Sequence, residues 1–343
     1  MAFFSIAVPT FNRKELLKQT LRSILDQTFT DFEVLVGNDY IKEELSCQSL
    51  GIFDSRIRFI NHKENLGEAG NMNNLLNEAS GKYFTFQFDD DIYATSFLES
   101  VSNLISQRKE LNCIYTNIGF IYGNKYPLLK DNNKFEHEII SGQNFVCENL
   151  ERKKNAAGCC GVFKTSILKK IGGIKKISNT PIAIHSEFLL LTNVTRFQKI
   201  GYIKNKLMFS RDYNETYSGS TTNYEAYRYA GINLLEEGTK VFNRYCKDVN
   251  LQFRFLDALV KTIMKYFIMR LLAVKINNHK VEIMIFLDEI INTINKDYIY
   301  RDNKKLLKYF KKIKTRTWLL VKLKAILKWH TPLFLIGLIK KFR

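Results

Sequence analysis

Three consecutive carboxylates, Asp89, Asp90 and Asp91, follow the aromatic, β-prone residues of "KYFTFQFDDDIYATSF" at residues 82–97. Successive strand residues point to opposite faces, so a strand through Phe84, Phe86 and Phe88 presents the acids at its carboxyl end. Open α/β sheets gather their ligands at that end. Adjacent carboxylates repel unless a cation offsets them, and Mg²⁺ or Mn²⁺ is held by one or two such groups together with substrate phosphates. If the alternation continues, Asp89 and Asp91 share a face; a slip of one residue puts Asp90 in their place. The same acids also suit a helix N-terminus, with Asp91 or Thr95 capping a helix that starts near Ser96.

Other residues carry chemistry of their own. Glu187 in "HSEFLLL" is a carboxylate that can accept a proton from an attacking hydroxyl, with His185 as a second candidate base. It can equally cap or solvate the amphipathic helix it opens. Pro9, Thr10 and Asn12 in "IAVPTFNR" end a first strand and begin a helix, and Asp39 in "FEVLVGND" is a turn acid after the second strand. In "NLGEAGNMNN", Gly67 permits close backbone approach and Asn71 offers an amide, while Asn65 can cap the helix that Gly67 and Gly70 loosen. An isolated arginine such as Arg211 is more often a surface or ion-pair residue than a ligand.

Strands are expected at residues 3–8, 32–37, 57–60 and 83–88, with helices at "RKELLKQTLRSILDQ" and "GEAGNMNNLLNEAS" between them. Such alternation predicts right-handed βαβ units and an α/β fold with a mostly parallel sheet. A helix near 96–107, short strands over 113–122 and a loop-rich region to about 157 follow. "GCCGVFKTSILKKIGG" reads as a strand leading into a short helix, with Thr165 or Ser166 as cap and Gly172 as stop. Beyond about residue 222 the pattern is helical, placing a boundary near 220 between an α/β part, 1–220, and a helical C-terminal region, 221–343.

A chain of 343 residues can bury one large domain or two. The six cysteines, at 47, 113, 147, 159, 160 and 246, show neither C-x-x-C nor His/Cys zinc spacing, so a reducing cytoplasm is expected. "MAFFSIAVPT" reads as a first strand and not as a signal peptide. No uncharged apolar run reaches the roughly 20 residues of a membrane span. The net charge of +18 is uneven: residues 301–343 hold 14 Lys or Arg against one acid, Asp302. On a helical wheel, Leu306, Tyr309, Phe310 and Ile313 fall within an arc of about 100°, the pattern of a helix lying in an anionic membrane interface. Trp318, Trp329 and the apolar run after Pro332 fit an interfacial anchor, with Lys322, Lys324 and Lys328 breaking any span. The alternative is a solvated face of a helix packed on the rest of the protein. Nucleic acid ranks last as a partner, since no motif for it is present.

The order "IAVPTFNR", "FEVLVGND", "NLGEAGNMNN", "FDDD" and "HSEFLLL" resembles the inverting family 2 glycosyltransferases of GT-A fold, of the kind that build bacterial surface polysaccharides. The resemblance covers roughly residues 3–215. It implies a Rossmann-like nucleotide-sugar domain with donor binding in 1–95 and an acceptor and catalytic part in 96–220. Pro9, Thr10 and Asn12 would lie beneath the base, and Asp39 would meet the base or ribose, although "NDYIKEE" departs from the usual two acids followed by Gly-Ser. Gly67 and Asn71 would approach the donor. Asp89 to Asp91 would be the Asp-x-Asp motif, with Asp89 at the ribose and metal, Asp90 beside the donor and Asp91 the preferred ligand of Mn²⁺ or Mg²⁺. Glu187 would be the base, where Asp is commoner, and Arg211 would clamp the diphosphate.

The expected activity is therefore metal-assisted hexosyl transfer from a UDP-sugar to a glycan or lipid-linked acceptor, peripheral to the cytoplasmic face of the membrane. A nucleotidyltransferase acting on sugar phosphates would share the sheet and the acids but leave Glu187 unexplained. A non-catalytic membrane-binding protein would keep the tail and have no use for a donor site.

Overall fold

The computed structural model describes residues 2–122, 135–158, 160–212, 223–274 and 279–296. The elements begin β1 (Phe4–Thr10), α1 (Lys14–Leu25), β2 (Phe32–Asn38), α2 (Cys47–Leu50), β3 (Ile57–Asn61), α3 (Gly67–Glu78) and β4 (Tyr83–Phe86). They continue with β5 (Ile92–Tyr93), α4 (Phe97–Gln107), β6 (Cys113–Tyr122), β7 (His137–Ile140), α5 (Gly142–Leu150), β8 (Val162–Lys164), α6 (Thr165–Lys170), α7 (Ser186–Asn193) and β9 (Ile200–Asp212). Three helices follow: α8 (Tyr224–Tyr245), α9 (Val249–Leu271) and α10 (His279–Asn295).

β1 is buried along its whole length, which is why "FSIAVPT" carries a near-continuous apolar run. It pairs in parallel with β2 and β4, and β2 pairs in parallel with β3, in the order β3-β2-β1-β4. The sheet then runs through β8, β6 and β9 to β5, with β7 also on β9. The pairs β4–β8, β6–β8, β5–β9 and β7–β9 are antiparallel, and β6–β9 is parallel, so the α/β sheet is mixed beyond its parallel half. Leu17, Leu21 and Ile24 of α1 are fully buried, each contributing roughly 1.5–3 kcal/mol of transfer free energy.

Register fixes the site. Thr10 lies opposite Asn38, and Asn38 opposite Asn61, so the carboxyl ends of three parallel strands finish together. β4 stops at Phe86, and the chain turns at Asp89 and Asp90, with the Asp91 N–H donating to Phe88 O at 3.2 Å. The strand alternation expected to put Asp89 and Asp91 on one face therefore does not extend to them. Neither Asp91 nor Thr95 caps α4: Ser96 holds the cap position, with no side-chain capping bond.

Two further details differ from the sequence reading. The stretch expected to be loop-rich contains β7 and α5, whose N-cap Ser141 accepts from the Asn144 N–H at 3.2 Å. Thr165 is the first residue of α6 and not its cap; its hydroxyl donates to Gly81 O across the sheet at 2.5 Å.

The chain divides into two compact units. Residues 1–221 and 225–263 form the first, so α8 and the first part of α9 belong with the sheet. There Phe242 stacks on Phe255 at 4.0 Å, and Arg254 grips Glu151 with two bonds of 2.6 and 2.7 Å. In the second unit, 222–224 and 264–343, Phe267 packs on Phe286 at 4.4 Å. The basic tail, 301–343, lies outside the described residues. Among the described residues, no helix is long and apolar enough to cross a membrane.

Candidate active site

The acid triplet sits at the carboxyl ends of β1 and β4, each carboxylate held differently. Asp89 is buried, and its Oδ2 accepts from the Thr10 hydroxyl at 2.7 Å. Arg13, in the turn before α1, donates to Asp89 Oδ1 at 3.4 Å and to Asp90 Oδ2 at 3.0 Å. Asp91 is buried, with its Oδ1 accepting from the Arg211 N–H of β9 at 2.9 Å. Asp90 is the most exposed of the three, at 14% of its side chain. Burial, followed by repulsion from Asp90, pushes the Asp89 carboxyl up to about 7, and the same two causes raise Asp91.

Those raised affinities describe a place that favours added positive charge, whether proton or metal. No group of three or more His, Cys, Asp or Glu side chains forms a closed cage among the described residues. The donor set fits a hard divalent cation held by one or two carboxylates and completed by substrate oxygens.

The other residues singled out by sequence fall in two groups. Pro9 is buried in β1 opposite Gly37, while Asn12 is exposed in the left-handed region at φ +55°. Asn12 is not the cap of α1; Arg13 occupies that position. Thr10, Asn12, Arg13, Asn38, Tyr40 and Glu43 line a shallow surface hollow. Beside it Phe11 is 49% exposed and meets Tyr40 edge-on at 5.3 Å, giving an aromatic face that can receive a base.

The second group is turned toward the protein. Asp39 is buried and accepts from the Leu66 N–H at 2.7 Å, fixing the start of α3. Asn71 donates to Gly37 O at 2.8 Å, and its Oδ1 meets His62 Nε2 at 3.0 Å, so its amide ties α3 to β2 and to the chain after β3. Gly67 takes φ +70°, and a Cβ there would lie 2.8 Å from Pro181 O; the close approach is to the protein's own loop. Arg211 reaches the triplet, but its Nε donates to Asp90 O and its Nη2 to Gln19 Oε1, both at 2.9 Å. That buried guanidinium anchors the turn to α1 and β9.

Glu187 lies half-buried in the first turn of α7, two residues after His185, which is buried at φ +63° and holds the cap position. Burial, then the charge of Glu68, pushes the Glu187 carboxyl up to about 7. Glu68 in turn feels Arg13 and Asp90, so an electrostatic path joins the triplet to Glu187. Sequence reasoning missed Glu68, Arg13 and Phe11. Glu68 and Arg13 meet their partners only through the fold, whereas the exposed Phe11 beside Asn12 was visible as an aromatic in the first motif.

Residues 5–172, which hold the acid triplet but not Glu187 or Arg211, match the family model described as glycosyl transferase family 2. Residues 5–172 are a family 2 glycosyl transferase domain. An Escherichia coli protein named UDP-Glc:alpha-D-GlcNAc-diphosphoundecaprenol beta-1,3-glucosyltransferase is 29% identical over 158 residues, covering 46% of this chain and 58% of the relative. A Campylobacter jejuni protein named GalNAc(5)-diNAcBac-PP-undecaprenol beta-1,3-glucosyltransferase is 42% identical over 94 residues, covering 26% of this chain and 30% of the relative. The matches thus span less than two thirds of those relatives' own lengths. In fold, this chain is similar to residues 1–349 of S. aureus TarS, solved in complex with UDP-GlcNAc, with a TM-score of 0.53 at 13% identity, covering 84% of this chain and 88% of that one. The α/β sheet is thus of the GT-A type.

Proposed function

We propose that this chain is an inverting glycosyltransferase that moves a sugar from a UDP-sugar to a hydroxyl of a glycan or lipid-linked acceptor, assisted by a divalent metal. The observation that carries the reading is Glu187: a half-buried carboxylate poised near neutrality and coupled through Glu68 to the acid turn at the strand ends.

The hollow beside Phe11, Thr10 and Asn12 receives the nucleoside, its base against the exposed ring of Phe11. The diphosphate lies toward Asp90 and Asp91, the ligands we assign to the metal, while Asp89 keeps Thr10 and Arg13 in place. A bound Mg²⁺ or Mn²⁺ supplies Lewis-acid stabilisation of the charge on the departing nucleoside diphosphate. Arg13 is the side chain placed to move from the carboxylates to phosphate oxygens when a cation enters. Glu187 takes the acceptor's hydroxyl proton as that oxygen bonds to the anomeric carbon. The bond to the diphosphate breaks on the opposite face, and its electron pair leaves with UDP.

Two relatives named as glucosyltransferases with undecaprenol-linked substrates support a glucose donor and a lipid-linked acceptor. The charge of residues 301–343 supports a peripheral site on an anionic membrane, at its cytoplasmic face. Calorimetric titration of UDP and GDP, each with Mn²⁺ and with EDTA, tests the donor half. UDP should bind with Mn²⁺ and weaken in Asp91→Ala. Failure of both nucleotides to bind under every condition would overturn the reading.

A further inference from the structure

Glu68 stands in the first turn of α3, where a carboxylate complements the helix dipole, but its side chain is committed to a contact outside the helix. Its contacts lead elsewhere. Its backbone N–H donates to Pro181 O at 2.9 Å, and its Oε2 accepts from the Ala183 N–H at 2.8 Å. The preceding Gly67, at φ +70°, is what lets α3 come this close, since a Cβ there would meet Pro181 O at 2.8 Å. Ala183 passes the grip forward: its carbonyl accepts from the Ser186 N–H at 2.9 Å, at the head of the helix that carries Glu187. Within the same loop, the Ser178 hydroxyl donates to Ile182 O, and that of Thr180 donates to the same oxygen at 3.1 Å.

We propose that Glu68 is a positioning residue for Glu187: its carboxylate holds the 181–183 loop that leads into the helix carrying the base. This rests on the assignment of Glu187 as the base. The two carboxylates repel, which favours the proton-bound form of Glu187 and makes its anion a stronger acceptor. Burial raises the Glu68 carboxyl itself; the Ala183 N–H and Arg13, from the turn before α1, favour its anion, and Asp90, from the turn after β4, opposes it. His185 heads the same helix as Glu187. Glu68 thus connects the donor side of the site to the base without itself touching the reacting atoms.

Two substitutions separate its roles. Glu68→Gln keeps an acceptor for the Ala183 N–H and removes the charge. The low-pH limb of kcat/KM should move down by roughly one pH unit, with UDP and Mn²⁺ binding retained. Glu68→Asp keeps the charge but shortens the reach. It should lower kcat about tenfold or more and leave the midpoint near that of the wild type. Thermal melting of both variants checks that they fold. If Glu68→Gln leaves the midpoint unmoved, or Glu68→Asp turns over like the wild type, the inference is overturned while the base assignment stands. If Glu187→Gln itself retains full transfer, the reading beneath it fails instead.

Discussion

Glu187 must be unprotonated to accept a proton, and burial together with Glu68 pushes its carboxyl up to about 7. kcat/KM should therefore fall as pH drops below about 7, with a slope of one proton, measured by initial rates of UDP release at saturating Mn²⁺. Glu187→Gln should lose on the order of 10² to 10⁴ in kcat while binding UDP normally, a loss confined to the transition state. The same shift carries a stability consequence with a definite sign. A carboxyl whose folded pKa lies above its unfolded value of 4.5 stabilises the fold at low pH, and that contribution is lost as pH rises through about 7. Glu187→Gln should thus melt above the wild type at pH 8, and the gap should close by pH 4. Of these residues, the triplet and Glu187 were legible in the sequence through the order of the motifs around them, since an acid at a strand end or a helix start taken alone serves equally as a cap. The pairing of Arg13 with Asp89 and Asp90 was not, because sequence gives no sign of which of 52 basic residues meets them.

The elements behave as a frame around those side chains, and two positions test it. Asn71 bonds Gly37 O and His62, linking α3 to the sheet. Asn71→Ala should cost about 1–3 kcal/mol in denaturant unfolding, by removing the amide's buried bonds to Gly37 O and His62, with UDP affinity unchanged in the folded protein. A loss of UDP affinity without loss of stability would instead return Asn71 to the donor site. Gly67→Ala forces an L side chain into the left-handed region against Pro181 O. It should destabilise by about 1–3 kcal/mol and reduce transfer as well, since the displaced loop leads to Glu187. The parallel half of the sheet was legible because β1, β2 and β4 are buried, nearly continuous apolar runs separated by amphipathic helices. β7 was not: "HEII" is half-buried and too short to show a period. The end of β4 was misjudged for the opposite reason, because aromatic alternation continues to Phe88 although strand pairing stops at Phe86.

At the scale of the whole molecule, residues 301–343 carry 14 basic residues against one acid, while the first unit holds the site. Removal of 301–343 should abolish sedimentation with vesicles containing anionic lipid at low salt and leave UDP binding intact. Vesicles of neutral lipid should not recruit the full chain. The proposed reading makes one central claim, that a sugar passes from UDP to an acceptor hydroxyl with Glu187 as the base. The most direct measurement is transfer from UDP-glucose to an undecaprenyl-diphosphate-linked sugar in the presence of Mn²⁺, with the anomeric configuration of the product read by NMR for wild type and Glu187→Gln. The account predicts a product of configuration opposite to the donor's, formed by the wild type and nearly absent with the variant. A product of retained configuration, or equal turnover by the two proteins, would contradict it.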